Sequence, residues 1–336
     1  MKAGVVPAVH ARWQLEDIEK PEPGPHQVLV KVHACGICYT DSLLAEGVLS
    51  FRPYPLVTGH EGVGEIVAVG DGVVTRKVGD RVGMPITQKP CGRCDFCRQN
   101  HPYSFVTANN CVAPVLTGVN VNGGQAEFIA VDELGTVLLP DGISYENAAP
   151  TVCAGYTVWA ALRRADGPPG GTVAVVGIGG VGHLGIQFAK AAGYRVVAIT
   201  HSPEKHDLAR RLGADEVVPD GAGLKAVGGA DVMLHTAPSH GPAIDALKGM
   251  RPWGKLVLMG ISADDAFPVP ALTMTAHSLQ IVGSAHNSPE YLNEALEIVA
   301  RGEVKPMIEI FPKEKIGDAY QKLRDRQLRF RAVIQY

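Results

Sequence analysis

The cysteines of this chain sort by spacing. Cys91, Cys94 and Cys97 form C-x2-C-x2-C inside the Pro/Gly-rich run PCGRCDFC, and Cys111 follows. Cys38 and Cys153 lie far from that cluster, and His60-Glu61 stands between them in TGHEGVG. Closely spaced thiolates suit a tetrahedral zinc. A Cys/His/Cys set gathered from distant segments leaves one coordination position open, which is the arrangement of a catalytic zinc. Cys35 completes a second C-x2-C with Cys38 but reads better as a small buried residue.

A different chemistry is written in GGTVAVVGIGGVGHLGIQFAKAAG, residues 170–193, where Gly177, Gly179 and Gly182 supply G-x-G-x-x-G. The first glycine permits a tight turn, the second a close pyrophosphate approach, and the third close helix–strand packing. Helix N-terminal N–H groups then face the phosphates. The context fits, with an apolar strand Thr172–Val176 before the turn and an amphipathic helix Val181–Ala192 after it.

These motifs need two kinds of scaffold. With 336 residues, two domains are expected. Hydrophobic content of 46% and charged content of 19% mark a globular chain. The net charge of −3, with no basic block, argues against a nucleic-acid partner. No N-terminal apolar h-region and no run of about 18 apolar residues appear, so no membrane partner and a soluble, cytoplasmic protein are expected. In a reducing compartment the cysteines are thiols or metal ligands. Strand-like runs at 194–200, 215–219, 231–237, 254–260 and 279–285 follow the fingerprint, the first of them alternating with helical stretches. They predict a six-stranded parallel Rossmann sheet over 150–285. Residues 1–149 are β-rich without such alternation, and 286–336 is expected to return to that first domain. The fold class is therefore α/β.

Together, CGICYTD, GHEGVGEIVAVG, PCGRCDFC, CAGYT and VVGIGGVGHLGIQFAK resemble the zinc-dependent alcohol dehydrogenases of the medium-chain dehydrogenase/reductase superfamily. The resemblance spans nearly the whole chain and keeps the motif order. It implies a GroES-like catalytic domain beside the Rossmann domain, with the active site in the cleft between them. It assigns Cys38, His60 and Cys153 as catalytic-zinc ligands, with Glu61 near the metal. Thr40 matches the hydroxyl that bonds a zinc-bound alkoxide and starts a proton relay. Asp41 matches the acid that orients the ligand His. Thr157 and Arg331 match positions that contact nicotinamide and the cofactor phosphates, while Arg331 also reads as a plain surface charge. Gly177, Gly179, Gly180, Val181 and Gly182 match the dinucleotide-binding turn. The implied reaction is hydride transfer between a nicotinamide cofactor and an alcohol, aldehyde or ketone. Relatives of this length are commonly homotetramers or homodimers joined through Rossmann sheet edges.

Two positions depart from the family pattern. Tyr39 stands where many members carry His, so it either lines the substrate pocket or cofactor site or is purely structural. The family's C-x2-C-x2-C-x7-C would place its fourth ligand at Phe105. A six-residue insertion before Cys111 restores the downstream spacing and makes Cys111 the fourth structural-zinc ligand, for two zinc ions per chain; an incomplete site is the alternative.

Cofactor choice turns on AITHSPEK. Thr200 stands where an NAD enzyme usually has Asp or Glu for the ribose 2′-OH. Thr200, His201, Ser202 and Lys205 can hydrogen-bond or neutralise a 2′-phosphate, so NADP(H) is expected over NAD(H). The alternatives are an NAD-dependent enzyme, or a silent relative that binds dinucleotide without turnover.

Overall fold

The computed structural model describes residues 1–99, 104–259 and 266–336. It divides into two compact units, one of Met1–Tyr156, His286–Arg301 and Pro306–Tyr336, the other of Thr157–Ala285 and Gly302–Lys305. The sequence-based break at 149/150 falls inside the helix Tyr145–Pro150, whereas the contacts divide after Tyr156. The reason is local: Thr151–Gly155 is buried and packs with that helix and with the helix Pro289–Ala300 of the same unit.

The first unit is built on a seven-stranded sheet. Its long central strand Gln27–Ile37 pairs antiparallel with Gly62–Val69, Phe128–Asp132 and Arg331–Gln335. Alternation in QVLVKV turns Val28, Val30 and Val32 into a core with Ile66, Val82 and Val131. Two ends of this strand system make the site. Ile37 ends the central strand and pairs with Ala332, so Cys38 and Arg331 emerge at the same edge. The strand Gly62–Val69 opens directly after His60-Glu61. A three-stranded sheet of Gln14–Asp17, Lys2–Val6 and Leu56–Val57 flanks it.

The second unit is a six-stranded parallel sheet. Its spatial order is Glu216–Val218, Arg195–Ile199, Thr172–Val176, Ala230–His235, Met250–Leu258, Gln280–Gly283. In chain order of the strands this is 3-2-1-4-5-6, the doubly wound dinucleotide-binding arrangement. Thr172–Val176 is buried along its whole length, as a central parallel strand must be. The expected strand at 254–260 starts earlier, at Met250, and its residue 260 lies outside the described residues. The fingerprint helix is Gly182–Ala191, shorter than the expected Val181–Ala192.

Candidate metal centres and dinucleotide turn

Cys38 caps the helix Tyr39–Ala45, Cys153 lies in a one-turn π-helix, Thr151–Gly155, and His60-Glu61 sits just before a strand. From these separate segments the first unit gathers Cys38, His60, Glu61 and Cys153, with one potential ligand atom of each within 4.8 Å of the others. The Cys38 and Cys153 sulfurs are 4.0 Å apart. A tetrahedron with metal–sulfur bonds of about 2.3 Å has ligands about 3.8 Å apart, so the donor set fits zinc. His60 and Glu61 are buried, as is Asp41.

Asp41 ties the group together. Its carboxylate accepts from the Cys38 N–H at 2.9 Å and the Gly59 N–H at 3.0 Å, and stands 3.4 Å from His60 Nδ1. That last contact is close but not aligned as a hydrogen bond, and Nδ1 has no other partner. With Nδ1 turned to Asp41, Nε2 is the ring nitrogen left to a metal. Burial works against charge on this ring, but Asp41 and Cys38 outweigh it and raise the His60 pKa. Cys38 is held well below the usual thiol range, first by its contact with the Cys153 thiol and then by His60 and Arg331. The Cys153 thiol is raised correspondingly by Cys38 and by burial.

Glu61 Oε1 accepts from Arg331, while its buried Oε2 has no hydrogen-bond partner. Burial lifts this carboxyl to about 7 against the pull of Arg331. Room for it comes from Gly36, where an added Cβ would meet Glu61 Oε2 at 1.9 Å. Arg331 is thus a buried partner of Glu61, which overturns its reading as a plain surface charge. Thr40 Oγ1 lies 3.8 Å from the Cys38 sulfur, and Tyr39 beside it is half exposed.

The second cluster joins Cys91, Cys94, Cys97 and Cys111. Sulfur separations are 3.9 Å for Cys91–Cys97 and 3.3 Å for Cys94–Cys97. Cys111 accepts from the N–H groups of Cys91 at 3.1 Å and Ala113 at 3.4 Å. The N–H groups of Cys97 and Val112 lower the Cys94 thiol to about 6. Tight turns that aim N–H groups at sulfur favour thiolates, the form a metal takes. Phe105 opens the helix Phe105–Asn110, and the expected insertion lies partly in 100–103, outside the described residues.

In the second unit the turn of the fingerprint follows its strand directly. Gly177 has φ +89°. A Cβ on Gly182 would come within 1.9 Å of the Gly177 carbonyl oxygen, so the helix must start with glycine to pack there. A Cβ on Gly179 would meet only open space, which is what a backbone that receives a phosphate requires. Gly180 and Val181 complete the turn, both half-buried. At the end of the neighbouring strand the buried Thr200 accepts from the Ser202 N–H at 3.2 Å, and His201 is exposed. Lys205 Nζ reaches back 3.1 Å to the carbonyl of Ile178, between the first two fingerprint glycines. Thr157 is half-buried in the helix Tyr156–Ala165.

Known proteins share this pattern. Residues 24–141 match the alcohol dehydrogenase GroES-like domain family and residues 180–301 the zinc-binding dehydrogenase family. An alcohol dehydrogenase of Geobacillus stearothermophilus is 39% identical over 341 residues, covering 99% of each chain. The chain belongs to the zinc-type alcohol dehydrogenases of the medium-chain dehydrogenase/reductase superfamily. A Helicobacter pylori cinnamyl alcohol dehydrogenase complexed with NADP(H) matches 99% of this chain and 97% of its own at 26% identity, TM-score 0.88. An NAD-dependent alcohol dehydrogenase covers both chains fully at 28% identity and the same TM-score. This member is therefore an oxidoreductase of alcohols that uses a pyridine nucleotide, and its relatives do not decide which one. Among the described residues no helix is long and apolar enough to cross a membrane.

Sequence reasoning about this dehydrogenase passed over His286. Its ring is buried, stacks on Tyr156 at 4.1 Å and 10°, and lies with Nε2 3.1 Å from the Cys153 carbonyl. Burial holds it neutral, with its pKa lowered to about 4. The signal was thin: one histidine next to the sixth strand, 133 residues from its partner.

Proposed function

We propose that this dehydrogenase carries two zinc ions and interconverts primary or secondary alcohols with aldehydes or ketones using NADP(H). The observation that supports it most directly is the convergence of Cys38, His60, Glu61 and Cys153 around one point, beside a Thr40 hydroxyl. Zinc bound there would supply Lewis acidity toward the substrate oxygen, making hydride loss from an alcohol or hydride gain by a carbonyl easier. A nicotinamide cofactor, seated at the Gly177–Gly182 turn, would accept or give the hydride.

The chain's own residues do the rest. Asp41 fixes the His60 ring and the backbone at Cys38 and Gly59, so the donor set is assembled before substrate arrives. Thr40 bonds the substrate hydroxyl and takes its proton outward; with Tyr39 in place of His, that relay continues through cofactor ribose or water. Glu61, balanced near neutrality and anchored by Arg331, holds a free oxygen close to the ligands. Cys91, Cys94, Cys97 and Cys111 hold the second zinc, which acts on folding of their lobe rather than on chemistry.

NADP(H) is favoured because Thr200 puts no carboxylate where a 2′-phosphate would lie, and Lys205 stands beside the fingerprint loop. One observation favours NAD(H) instead: the Lys205 ammonium is already engaged by the Ile178 carbonyl. A homotetramer or homodimer joined at the Gln280–Gly283 sheet edge is part of this proposal; that strand is largely exposed.

The test is oxidation of benzyl alcohol and reduction of benzaldehyde with each cofactor, with and without a zinc chelator. Chelator-sensitive turnover that prefers NADP(H) is expected. Turnover preferring NAD(H) refutes the cofactor assignment, and bound zinc without turnover on a broad carbonyl panel refutes the activity.

A further inference from the structure

The turn that carries Cys153 is one residue wider than an α-helical turn, a form rare in itself and frequent at functional sites. Inside it the Tyr156 N–H is shared between the carbonyls of Thr151 and Cys153. Side chains pin the turn as well. Upstream, the Thr151 hydroxyl donates to the Asn147 carbonyl at 2.7 Å. Downstream, the Tyr156 hydroxyl donates to the Ser288 carbonyl at 2.8 Å. Between these two points, His286 Nε2 lies 3.1 Å from the carbonyl of Cys153 itself. A carbonyl can only accept, so Nε2 carries the hydrogen and donates it.

Two further observations single out His286. Its ring stacks on Tyr156, with centroids 4.1 Å apart and planes 10° from parallel, which fixes the direction of Nε2. Its backbone has φ +30°, a region that residues with a Cβ seldom adopt. Such a conformation persists only where the surroundings impose it, and it gathers at functional sites. Here the surroundings are the stack and the Nε2 bond. The helix Pro289–Ala300, which begins just after His286 and Ser288, packs on the same turn.

We infer that His286 is a positioning residue for the metal ligand Cys153: by holding the Cys153 carbonyl it sets the π turn so that the Cys153 sulfur faces that of Cys38. It acts through the backbone of Cys153 and not on the reacting atoms. Asp41 does the corresponding work for the other two ligands, through the N–H groups of Cys38 and Gly59 and beside the His60 ring. The inference rests on the zinc reading given above.

Full-length protein reconstituted with cadmium in place of zinc gives one cadmium NMR resonance per donor set, so the four-cysteine cluster is an internal reference. His286→Phe keeps a ring for the stack and removes the donor. It is expected to displace the resonance of the Cys38/His60/Cys153 set and leave the four-cysteine resonance in place. In chelator competition it is expected to weaken the displaced site about five-fold, the worth of one net hydrogen bond. His286→Gln, whose amide N–H reaches about as far as Nε2, keeps the donor without the ring and is expected to hold both resonances and the affinity at the parent's values. His286→Leu, smaller and also without a donor, repeats the first arm should His286→Phe impair folding, which circular dichroism checks. A packing role gives the reverse order, with His286→Phe tolerated and His286→Gln disruptive. That order, or a folded donor-free variant with resonance and affinity unchanged, would overturn the proposal. A parent protein whose Cys38 set binds no cadmium would refute the zinc reading itself, and this inference with it.

Discussion

Replacing Asp41 by Asn tests how the proposed donor set of Cys38, His60 and Cys153 is assembled. The carboxylate accepts two backbone N–H bonds, from Cys38 at 2.9 Å and Gly59 at 3.0 Å, through different oxygens. In Asn one of those oxygens becomes an NH2 group and confronts an N–H donor. One bond to a charged acceptor is lost, worth about 1.5–3 kcal/mol. His60 also loses the negative charge 3.4 Å from Nδ1. That energy corresponds to roughly ten- to a hundred-fold in equilibrium, and removal of an outer partner of a metal ligand typically costs about as much in metal affinity. The assay is competition with a chelator, with zinc counted per chain by native mass spectrometry. The four-cysteine cluster, which Asp41 does not touch, serves as the internal reference. The expected result is loss of one zinc at chelator concentrations that the parent protein withstands, with kcat falling alongside. If Asp41→Asn keeps both ions within about two-fold of the parent affinity while circular dichroism shows an intact fold, the account of Asp41 is wrong.

Other outcomes follow from the same structure. Cys111→Ser removes the sulfur that accepts from the Cys91 and Ala113 N–H groups; zinc content is expected to drop from two to one and the 91–111 loop to become protease-sensitive, with a second zinc retained as the contrary result. Thr200→Asp places a carboxylate at the end of the second Rossmann strand and is expected to move the NADP(H)/NAD(H) ratio of kcat/KM at least about ten-fold toward NAD(H); an unchanged ratio refutes the role of that position. His235 is held neutral, its pKa lowered from 6.5 to about 4 by burial and by His240. The unfolded chain therefore binds the proton more readily. Stability is complete above pH 6.5 and falls as pH drops toward 4, by about 2 kcal/mol after allowance for partial solvent screening. His235→Leu is expected to flatten that slope in denaturant titrations, and an unaltered slope counts against it.

Much of the Rossmann unit was legible because parallel strands buried on both faces are written as apolar runs, and Thr172–Val176 matches its run residue for residue. Gly177 and Gly182 were legible because each answers a backbone demand that other residues do not meet, a φ of +89° at the first and a Cβ clash with the Gly177 carbonyl at the second. Helix limits were less so: Val181 carries the last residue before the helix, with helical backbone angles but no cap bond. In the first unit the cysteines announced themselves by type and spacing. What could not be read was the company they keep. The pairing of Arg331 with Glu61 depends on the register of Arg331–Gln335 against Gln27–Ile37, and the His286–Cys153 contact depends on a backbone turn. Neither leaves a local pattern, because each joins residues far apart in the chain.

The π turn at Thr151–Gly155 bears on how this protein tolerates change in length. A π turn is an α-helix with one residue too many. Removing any one residue there would let the backbone relax into ordinary helix and turn the flanking side chains by about 100° relative to one another. Cys153 would swing away from Cys38 while every other side chain in the segment remained acceptable to a helix. The proposed metal site is thus vulnerable to a single-codon deletion at Thr151, Val152, Ala154 or Gly155, which would turn Cys153 away from Cys38 without removing any ligand residue.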